Sequence, residues 1–244
     1  MVNYKQLHSL VKVNSIQGRY VINEMIFPFF DQLNSNFEIE NIGVSVLGKT
    51  IKSVTFGKGT HKIFMWSQMH GNESTTTKAV LDFLNFMNQD SELANSIFEN
   101  CTIKIILILN PDGAEAYTRV NANEIDLNRD AQDRSQPESI LLRKTFDSFQ
   151  PDYCFNLHDQ RTIFNVGVNA NCVGDTFQMQ NIPTILFESG HFPNDYEREK
   201  TRALIFCAML SGINVIAQQK IDDFSQKDYF LIPENGKQFY DILI

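Results

Sequence analysis

The chain has 244 residues, of which 43% are hydrophobic and 20 are phenylalanine. That is enough to bury one sizeable core, and we expect a single catalytic domain over residues 1–244. Its 29 acidic and 21 basic residues give a net charge of -8. Without a local basic cluster, this balance argues against nucleic acid and anionic membranes as partners.

The N-terminus and the cysteines bear on the cellular compartment. Residues 1–20 contain no apolar run of signal-peptide length, and no later run approaches the ~20 apolar residues that span a bilayer. Cys101, Cys154, Cys172 and Cys207 are widely spaced and form no C-x-x-C pattern. We expect a soluble cytoplasmic protein with reduced, buried thiols rather than disulfides or a thiolate zinc site.

Apolar periodicity predicts helices and strands in alternation. The first half gives a leading helix over 20–33 that Pro28 interrupts, a hairpin of 39–47 and 51–56 around Gly48, a buried strand over 62–67, and a helix from Ser74 or Thr75 to Met87. The second half gives a central strand over 102–109, a polar loop over 113–135, a helix over 137–149, strands over 155–158 and 184–188, and a helix over 196–210. This order predicts an α/β domain with a mixed, mostly parallel central sheet, helices on both faces, and a site at the strand ends.

Four short pieces of sequence lie where predicted strands end. They are His70-Gly71-Asn72-Glu73, Asn110-Pro111-Asp112-Gly113 running on to Asp126-Leu127-Asn128-Arg129, then His158, then Glu188. In a turn that leads into a helix, a His and a Glu three positions apart can aim at one point. Zinc in hydrolases commonly takes three ligands of the His, His, Glu kind, so His158 is the natural third ligand.

Each of these residues also has a structural interpretation. An H-x-x-E match is frequent by chance, and a His that ends a strand is more often a core or rim residue. Glu188 could cap the segment after it, and Arg129 could be a surface arginine. We interpret the set as one hydrolytic site for a single zinc ion, although these ligands do not exclude other divalent ions.

The segments HGNE, NPDGAEAYTRVNANEIDLNRD, NLH and FESG occur in an order that resembles the zinc carboxypeptidase family, typified by pancreatic carboxypeptidase A. The likeness covers roughly residues 60–210 and is greatest to the shorter bacterial branch, which includes murein peptide amidases. It implies that His70, Glu73 and His158 bind zinc. Asp126 would then accept a hydrogen bond from His70 and fix its tautomer.

The resemblance also implies roles in substrate binding and catalysis. Arg119 would polarise the scissile carbonyl, and Asn128 and Arg129 would bind the terminal carboxylate of the substrate. Glu188 would act as general base and acid.

The chain departs from this family in two places. The resemblance implies a tyrosine and pocket-forming loops between the third ligand and the catalytic Glu. Here only the 29 residues 159–187 separate them, and none is tyrosine. Either the chain lacks that wall, or a segment is missing near 167–169. In addition, Asp130 replaces the usual Asn after DLNR; pointing inward it would favour a cationic substrate, and pointing outward it would be solvated.

Three functions remain open at this point. The first is a zinc peptidase that removes a C-terminal residue or cleaves a small peptide. The second is a zinc amidohydrolase that deacylates N-acyl amino acids and resembles the aspartoacylase and succinylglutamate desuccinylase group. The third is a non-catalytic domain that binds carboxylates. The sequence predicts neither the natural substrate nor the oligomeric state.

Overall fold

The computed structural model describes residues 3–159 and 171–231. The helices are α1 Tyr4–Val11, α2 Asn23–Phe30, α3 Thr75–Met87, α4 Glu92–Asn100, α5 Pro111–Ala116, α6 Pro137–Phe149, α7 Val173–Gln178 and α8 Glu199–Ala217. The strands are β1 Glu38–Val44, β2 Thr50–Gly57, β3 His61–Ser67, β4 Cys101–Ile106, β5 Tyr153–Asp159 and β6 Thr184–Ser189. Short 3₁₀ turns lie at Leu127–Arg129, Ile221–Asp223 and Gln226–Leu231.

The strands form one six-stranded sheet in the order β1-β2-β4-β3-β5-β6. The pairs β3·β4, β3·β5 and β5·β6 are parallel, and β1·β2 and β2·β4 are antiparallel. The expected mixed, mostly parallel sheet is therefore confirmed. Since β4, β3, β5 and β6 run in the same direction, their carboxyl ends meet at one edge, where α/β sheets carry their sites.

Helices cover both faces of the sheet. Alternate residues of β3 point to opposite faces, so Ile63 and Met65 join one hydrophobic core, and Phe64 and Trp66 join the other. The first core also receives α1, α3, α4 and α8. The second receives α6 and α7, whose rings Phe146 and Phe177 stack with centroids 3.8 Å apart. The apolar side chains of six strands thus fix the sheet between two helical layers.

Several boundaries differ from the predicted ones. The hairpin is confirmed, with Gly48 at φ +79° in its turn. The first helix of the described chain is α1, and the helix predicted over 20–33 spans only Asn23–Phe30, with Pro28 inside it. The predicted central strand ends at Ile106 instead of Leu109.

Short helices were missed by the periodicity analysis. The loop predicted over 113–135 contains most of α5, because Asn110 caps that helix by accepting a hydrogen bond from Gly113 N at 2.9 Å. The helices α4 and α7 have nine and six residues, too few for a clear 3.6-residue period. The last predicted helix begins at Glu199 and continues to Ala217.

The four cysteines are free thiols. Cys101 and Cys154 are buried, as expected, whereas Cys172 and Cys207 are only partly buried. Burial raises the pKa of Cys101 to about 12, which keeps it protonated at neutral pH.

Among the described residues, α8 is the one helix whose length of 19 residues and mean hydropathy of 1.3 meet the criteria for a membrane span. These criteria are also met by core helices, and α8 buries Phe206, Met209 and Leu210 in the core shared with α3. Its apolar composition is therefore accounted for by packing. The position near 167–169, where a segment could be missing, lies outside the described residues.

Candidate metal centre

The HGNE turn follows β3 directly and packs against the NPDG turn after β4. A Cβ on Gly71 would lie 1.9 Å from the carbonyl carbon of Gly113, so only glycine allows this contact. A backbone hydrogen bond also joins the two segments, because Asn72 N donates to Thr118 O at 3.1 Å. The glycines of the two motifs thus let the segments that carry His70 and Asp126 approach each other.

Three buried side chains meet at the carboxyl end of the sheet, and we call them the ligand triad: His70, Glu73 and His158. Each is 2% exposed. Nδ1 of His70 lies 2.9 Å from Glu73 Oε1, and Nδ1 of His158 lies 2.9 Å from Glu73 Oε2. The two Nδ1 atoms are 3.2 Å apart. Side chains 88 positions apart in sequence therefore direct one donor atom each to a common point.

The triad fits a zinc ion by donor type and by spacing. The three candidate ligand atoms all lie within 4.8 Å of one another. Nitrogens about 2.1 Å from a tetrahedral zinc ion are separated by about 3.4 Å, close to the 3.2 Å between the two Nδ1 atoms. Two imidazoles and one carboxylate also form a common ligand set of catalytic zinc.

The charges in the triad are strongly coupled. Burial alone would raise the pKa of Glu73, but hydrogen bonds from His158 and His70 hold it well below its ordinary value. Burial would lower the pKa of His70, whereas its hydrogen bonds with Asp126 and Glu73 outweigh this effect and raise it. Glu73 is therefore ionised at neutral pH, as a metal ligand must be.

Asp126 and Arg119 surround the triad on its outer side. Asp126 Oδ1 lies 3.0 Å from His70 Nε2, and Arg119 Nε donates to Asp126 Oδ2 at 3.0 Å. Arg119 Nη1 also reaches Glu73 Oε1 at 3.4 Å. Burial opposes ionisation of Asp126, but the hydrogen bond from His70 and the charge of Arg119 hold its pKa well below the ordinary value. The side chain of Arg119 remains 44% exposed and so borders both the triad and solvent.

The other ring nitrogen of His158 has a different environment. His158 Nε2 is buried and has no hydrogen-bond partner within residues 3–159 and 171–231. The carboxylate partner expected for His70 is therefore present, whereas the outer ring nitrogen of His158 has no partner in the described part of the chain.

Glu188 lies beside His158. The two residues are register partners on the parallel strands β5 and β6, so their side chains project from the same face of the sheet. The neighbouring pair, Leu157 and Phe187, contributes to the core on the opposite face. Burial raises the pKa of Glu188 above its ordinary value. No described helix begins directly after Glu188, since the next one starts at Glu199.

Asn128 and Arg129 lie beside Cys172, near the start of α7. Asn128 Oδ1 accepts a hydrogen bond from Val173 N at 2.9 Å, and no hydrogen bond among the described residues uses its Nδ2. Arg129 is exposed, and its Nη1 donates to Asn128 O at 2.6 Å and to Cys172 Sγ at 2.9 Å. The side chains of Asn128 and Arg129 are therefore tied to Val173 and Cys172 at the start of α7.

Asp130 has a structural role that the sequence analysis did not foresee. It is 3% exposed, so it is not solvated. Its carboxylate accepts hydrogen bonds from Ser135 N and Oγ at 2.9 and 2.8 Å and from Gln136 N at 3.0 Å. These bonds close the loop before α6, and they direct the charge of Asp130 to the chain's own donors rather than to a substrate.

Sequence reasoning also missed two buried residues next to the triad, Asp159 and Arg198. Asp159 is 2% exposed, and its backbone N donates to Glu73 Oε2 at 3.1 Å. Arg198 is 3% exposed and lies 3.8 Å from Asp159 Oδ2. The one feature of the sequence that could have pointed to this pair is Asp159 itself, which directly follows His158 in a strand whose only other polar residue is Asn156.

Comparisons with known proteins agree with the fold and the motifs. The family model described as zinc carboxypeptidase matches residues 29–176. A probable carboxypeptidase 2 from Arthroderma benhamiae is 24% identical over 135 residues, which are 54% of this chain and 23% of that protein. The chain thus spans about a quarter of the length of this curated relative.

Solved structures with the same fold include two kinds of bacterial enzyme. A metallo-carboxypeptidase from Burkholderia cenocepacia superposes with a TM-score of 0.71 at 17% identity and covers 81% of this chain and 69% of its own. The murein-tripeptide amidase MpaA from Escherichia coli O157 gives a TM-score of 0.53 at 18% identity, with 70% and 91% covered. At these identities the structural likeness establishes the fold.

Proposed function

Because this chain belongs to the zinc carboxypeptidase family, we propose that it is a zinc-dependent metallopeptidase that hydrolyses a peptide or amide bond next to the substrate's C-terminal carboxylate. The observation that supports this proposal best is the buried triad with Glu188 on the adjacent strand, in register with His158. A non-catalytic fold would have no need for a carboxyl group beside a set of metal ligands.

The proposed chemistry divides between the ion and the protein. Zinc, when bound, lowers the pKa of water towards ~7 and polarises a carbonyl group. Glu188 would accept the proton of the attacking water and pass it to the leaving amine. A partly buried carboxyl whose pKa is raised above its ordinary value holds a proton more readily than an exposed one, which suits a group that must first accept the proton and then pass it on.

Arg119 would stabilise the negative charge that develops on the carbonyl oxygen. Its side chain is fixed on one side by Asp126 and Glu73 and is exposed on the other, where a substrate would approach. A positioned donor of this kind contributes ~3 to 4 kcal/mol in other enzymes.

Asn128 and Arg129 would bind the substrate's terminal carboxylate. Nδ2 of Asn128, which forms no hydrogen bond within residues 3–159 and 171–231, is a donor, and the planar fork of Arg129 matches a carboxylate with two hydrogen bonds. A lysine at position 129 would offer a point charge without that geometry.

Metal analysis with a small substrate series tests the proposal. Bound metal is measured in the parent and in His158→Ala. The substrates are an N-blocked dipeptide with a free carboxylate, the same dipeptide as its C-terminal amide, and an N-acetyl amino acid. We expect about one zinc per chain in the parent, loss of zinc in the variant, and hydrolysis of the free-carboxylate dipeptide.

The other outcomes assign the remaining functions. Deacylation of the N-acetyl amino acid without cleavage of the dipeptide would identify the amidohydrolase. Zinc-loaded protein that hydrolyses nothing, with Glu188→Gln identical to the parent, would identify a carboxylate-binding domain. Protein that binds no zinc even after loading would exclude both the peptidase and the amidohydrolase.

A further inference from the structure

We propose that Arg198 is a positioning residue for the metal centre: one buried guanidinium fixes the three chain segments that carry Glu73, His158 and Glu188. The kinetic part of this inference rests on the function proposed above, and its metal-binding part does not.

The contacts of Arg198 reach three separate elements. Nε donates to Thr75 Oγ1 at 2.6 Å, at the first turn of α3. Nη2 donates to Ser189 O at 2.6 Å and to Ser189 Oγ at 3.1 Å, at the end of β6. It also donates to Gly190 O at 3.1 Å. The ion pair with Asp159, at 3.8 Å, adds the end of β5. We call Arg198, Thr75, Asp159 and Ser189 the Arg198 network.

Each contacted residue follows a residue of the candidate site. Thr75 comes two positions after Glu73, Asp159 directly follows His158, and Ser189 directly follows Glu188. Consecutive residues share a backbone, so a shift of one moves the side chain of the next. A single side chain therefore sets the relative positions of two ligands and the proposed base.

Asp159 links this network to a ligand atom. Its backbone N donates to Glu73 Oε2 at 3.1 Å, and its Oδ2 accepts from Thr75 N at 3.0 Å. Its Oδ1 accepts a hydrogen bond from Ser189 Oγ. Hydrogen bonds that orient the ligands of a metal site commonly change metal affinity or activity by about 10- to 100-fold when they are lost.

The geometry requires arginine. Its donors lie in a rigid fork, so Nε and Nη2 can bind Thr75 and Ser189 at the same time, whereas the single ammonium of a lysine cannot span both. Arg198 also has φ +59°, a conformation that non-glycine residues adopt rarely and that is retained at functional sites when its surroundings require it.

Arg202, in the first turns of α8, provides a matched control for Arg198, which precedes that helix as its N-cap. It is 0% exposed and forms an ion pair with Asp82 through two contacts of 2.6 Å. Its other partners include Val13 O and Ile16 O. None of these partners is adjacent to a triad residue or to Glu188. Replacing Arg202 removes an equally buried guanidinium whose other side-chain partner, Glu199, is not a member of the Arg198 network.

The experiment compares Arg198→Lys, Ser189→Ala and Arg202→Lys as cobalt-substituted and zinc-loaded proteins. Ser189→Ala removes one bond to Arg198 and one to Asp159 without leaving a buried charge unpaired. The readouts are the visible absorption spectrum of bound Co²⁺, metal affinity by chelator competition, melting temperature, and kcat and KM on the free-carboxylate dipeptide.

For Arg198→Lys we expect an altered cobalt spectrum, metal affinity lower by at least about tenfold, and kcat lower by about 10- to 100-fold with KM within about threefold. Ser189→Ala changes in the same direction by a smaller factor and decides the question if Arg198→Lys does not fold. Arg202→Lys melts at a lower temperature but keeps the parental spectrum and affinity.

Parental spectra and affinities in both Arg198→Lys and Ser189→Ala would overturn the inference, as would an equal change in Arg202→Lys. A parent that binds metal but hydrolyses no substrate would refute the proposed function alone, because the spectra and affinities would still test the Arg198 network. A parent that binds no divalent ion would refute both.

Discussion

Asp126 Oδ1 lies 3.0 Å from His70 Nε2, on the opposite side of the ring from the nitrogen that faces Glu73. A carboxylate in this position accepts a hydrogen bond from Nε2–H, which leaves the lone pair of Nδ1 for a metal. It therefore selects the tautomer that the triad needs.

We expect Asp126→Asn to lower metal affinity by about 10- to 100-fold while the protein remains folded. Asparagine keeps the shape of the side chain but removes the charge that favours the Nε2–H tautomer. Chelator competition on purified protein measures the change. Asp133→Asn, an exposed residue of the following loop, is the control, and equal affinities in the two variants would show that Asp126 does not orient His70.

Glu188→Gln separates metal binding from catalysis. Glu188 is not a member of the triad, so the variant should keep about one zinc per chain. Loss of the general base should lower kcat by about 100- to 10,000-fold, because glutamine cannot accept the proton. Stopped assays on the free-carboxylate dipeptide, with zinc content measured on the same sample, check both statements. A variant that loses its zinc would instead mark Glu188 as a ligand.

The order of strands and motifs could be predicted from the sequence, and the network behind the site could not. The continuous apolar run that became β4 and the period-two alternation in β2 are both local patterns. The HGNE motif is also local, and it places His70 and Glu73 just after the end of β3. These are the parts of the fold and site that sequence reasoning found.

The remaining parts depend on contacts between distant segments. The register of His158 with Glu188 is fixed by the pairing of β5 and β6 over six residue pairs, and the contact of Arg198 with Thr75 joins residues 123 positions apart. Ser74 shows the same limit. It occupies the predicted N-cap of α3, but its hydroxyl donates to Arg19 O at 2.6 Å instead of capping the helix.

Arg129→Lys tests carboxylate recognition. Lysine keeps the positive charge but loses the fork that binds two carboxylate oxygens. We expect the preference for the free-carboxylate dipeptide over its amide to fall by about tenfold, mainly through a higher KM. Ratios of kcat/KM for the two substrates measure it. Arg134→Lys, an exposed arginine, is the control. An unchanged ratio would show that Arg129 is a surface residue that does not bind the terminal carboxylate of the substrate.

Asp130→Asn tests whether this extra carboxylate selects substrates or supports the loop. Its bonds to Ser135 and Gln136 use the carboxylate within the chain, so we expect the relative rates on basic and neutral substrates to stay the same. The free energy of unfolding should fall by about 1.5 to 3 kcal/mol at pH 7, the usual range for hydrogen bonds to a charged group.

This loss of stability should depend on pH in a defined direction. Burial opposes ionisation of Asp130, but the hydrogen bonds from Ser135 and Gln136 hold its pKa below the ordinary 3.8. Since the pKa is lower in the folded state, the stabilisation is complete above about pH 3.8 and decreases as the pH falls through the folded-state pKa. Denaturant unfolding of metal-free parent and variant at pH 7 and near pH 3 measures the difference, with Asp133→Asn as control. A difference that grows towards low pH, or a changed preference for basic substrates, would show that Asp130 acts in some way other than by closing the loop.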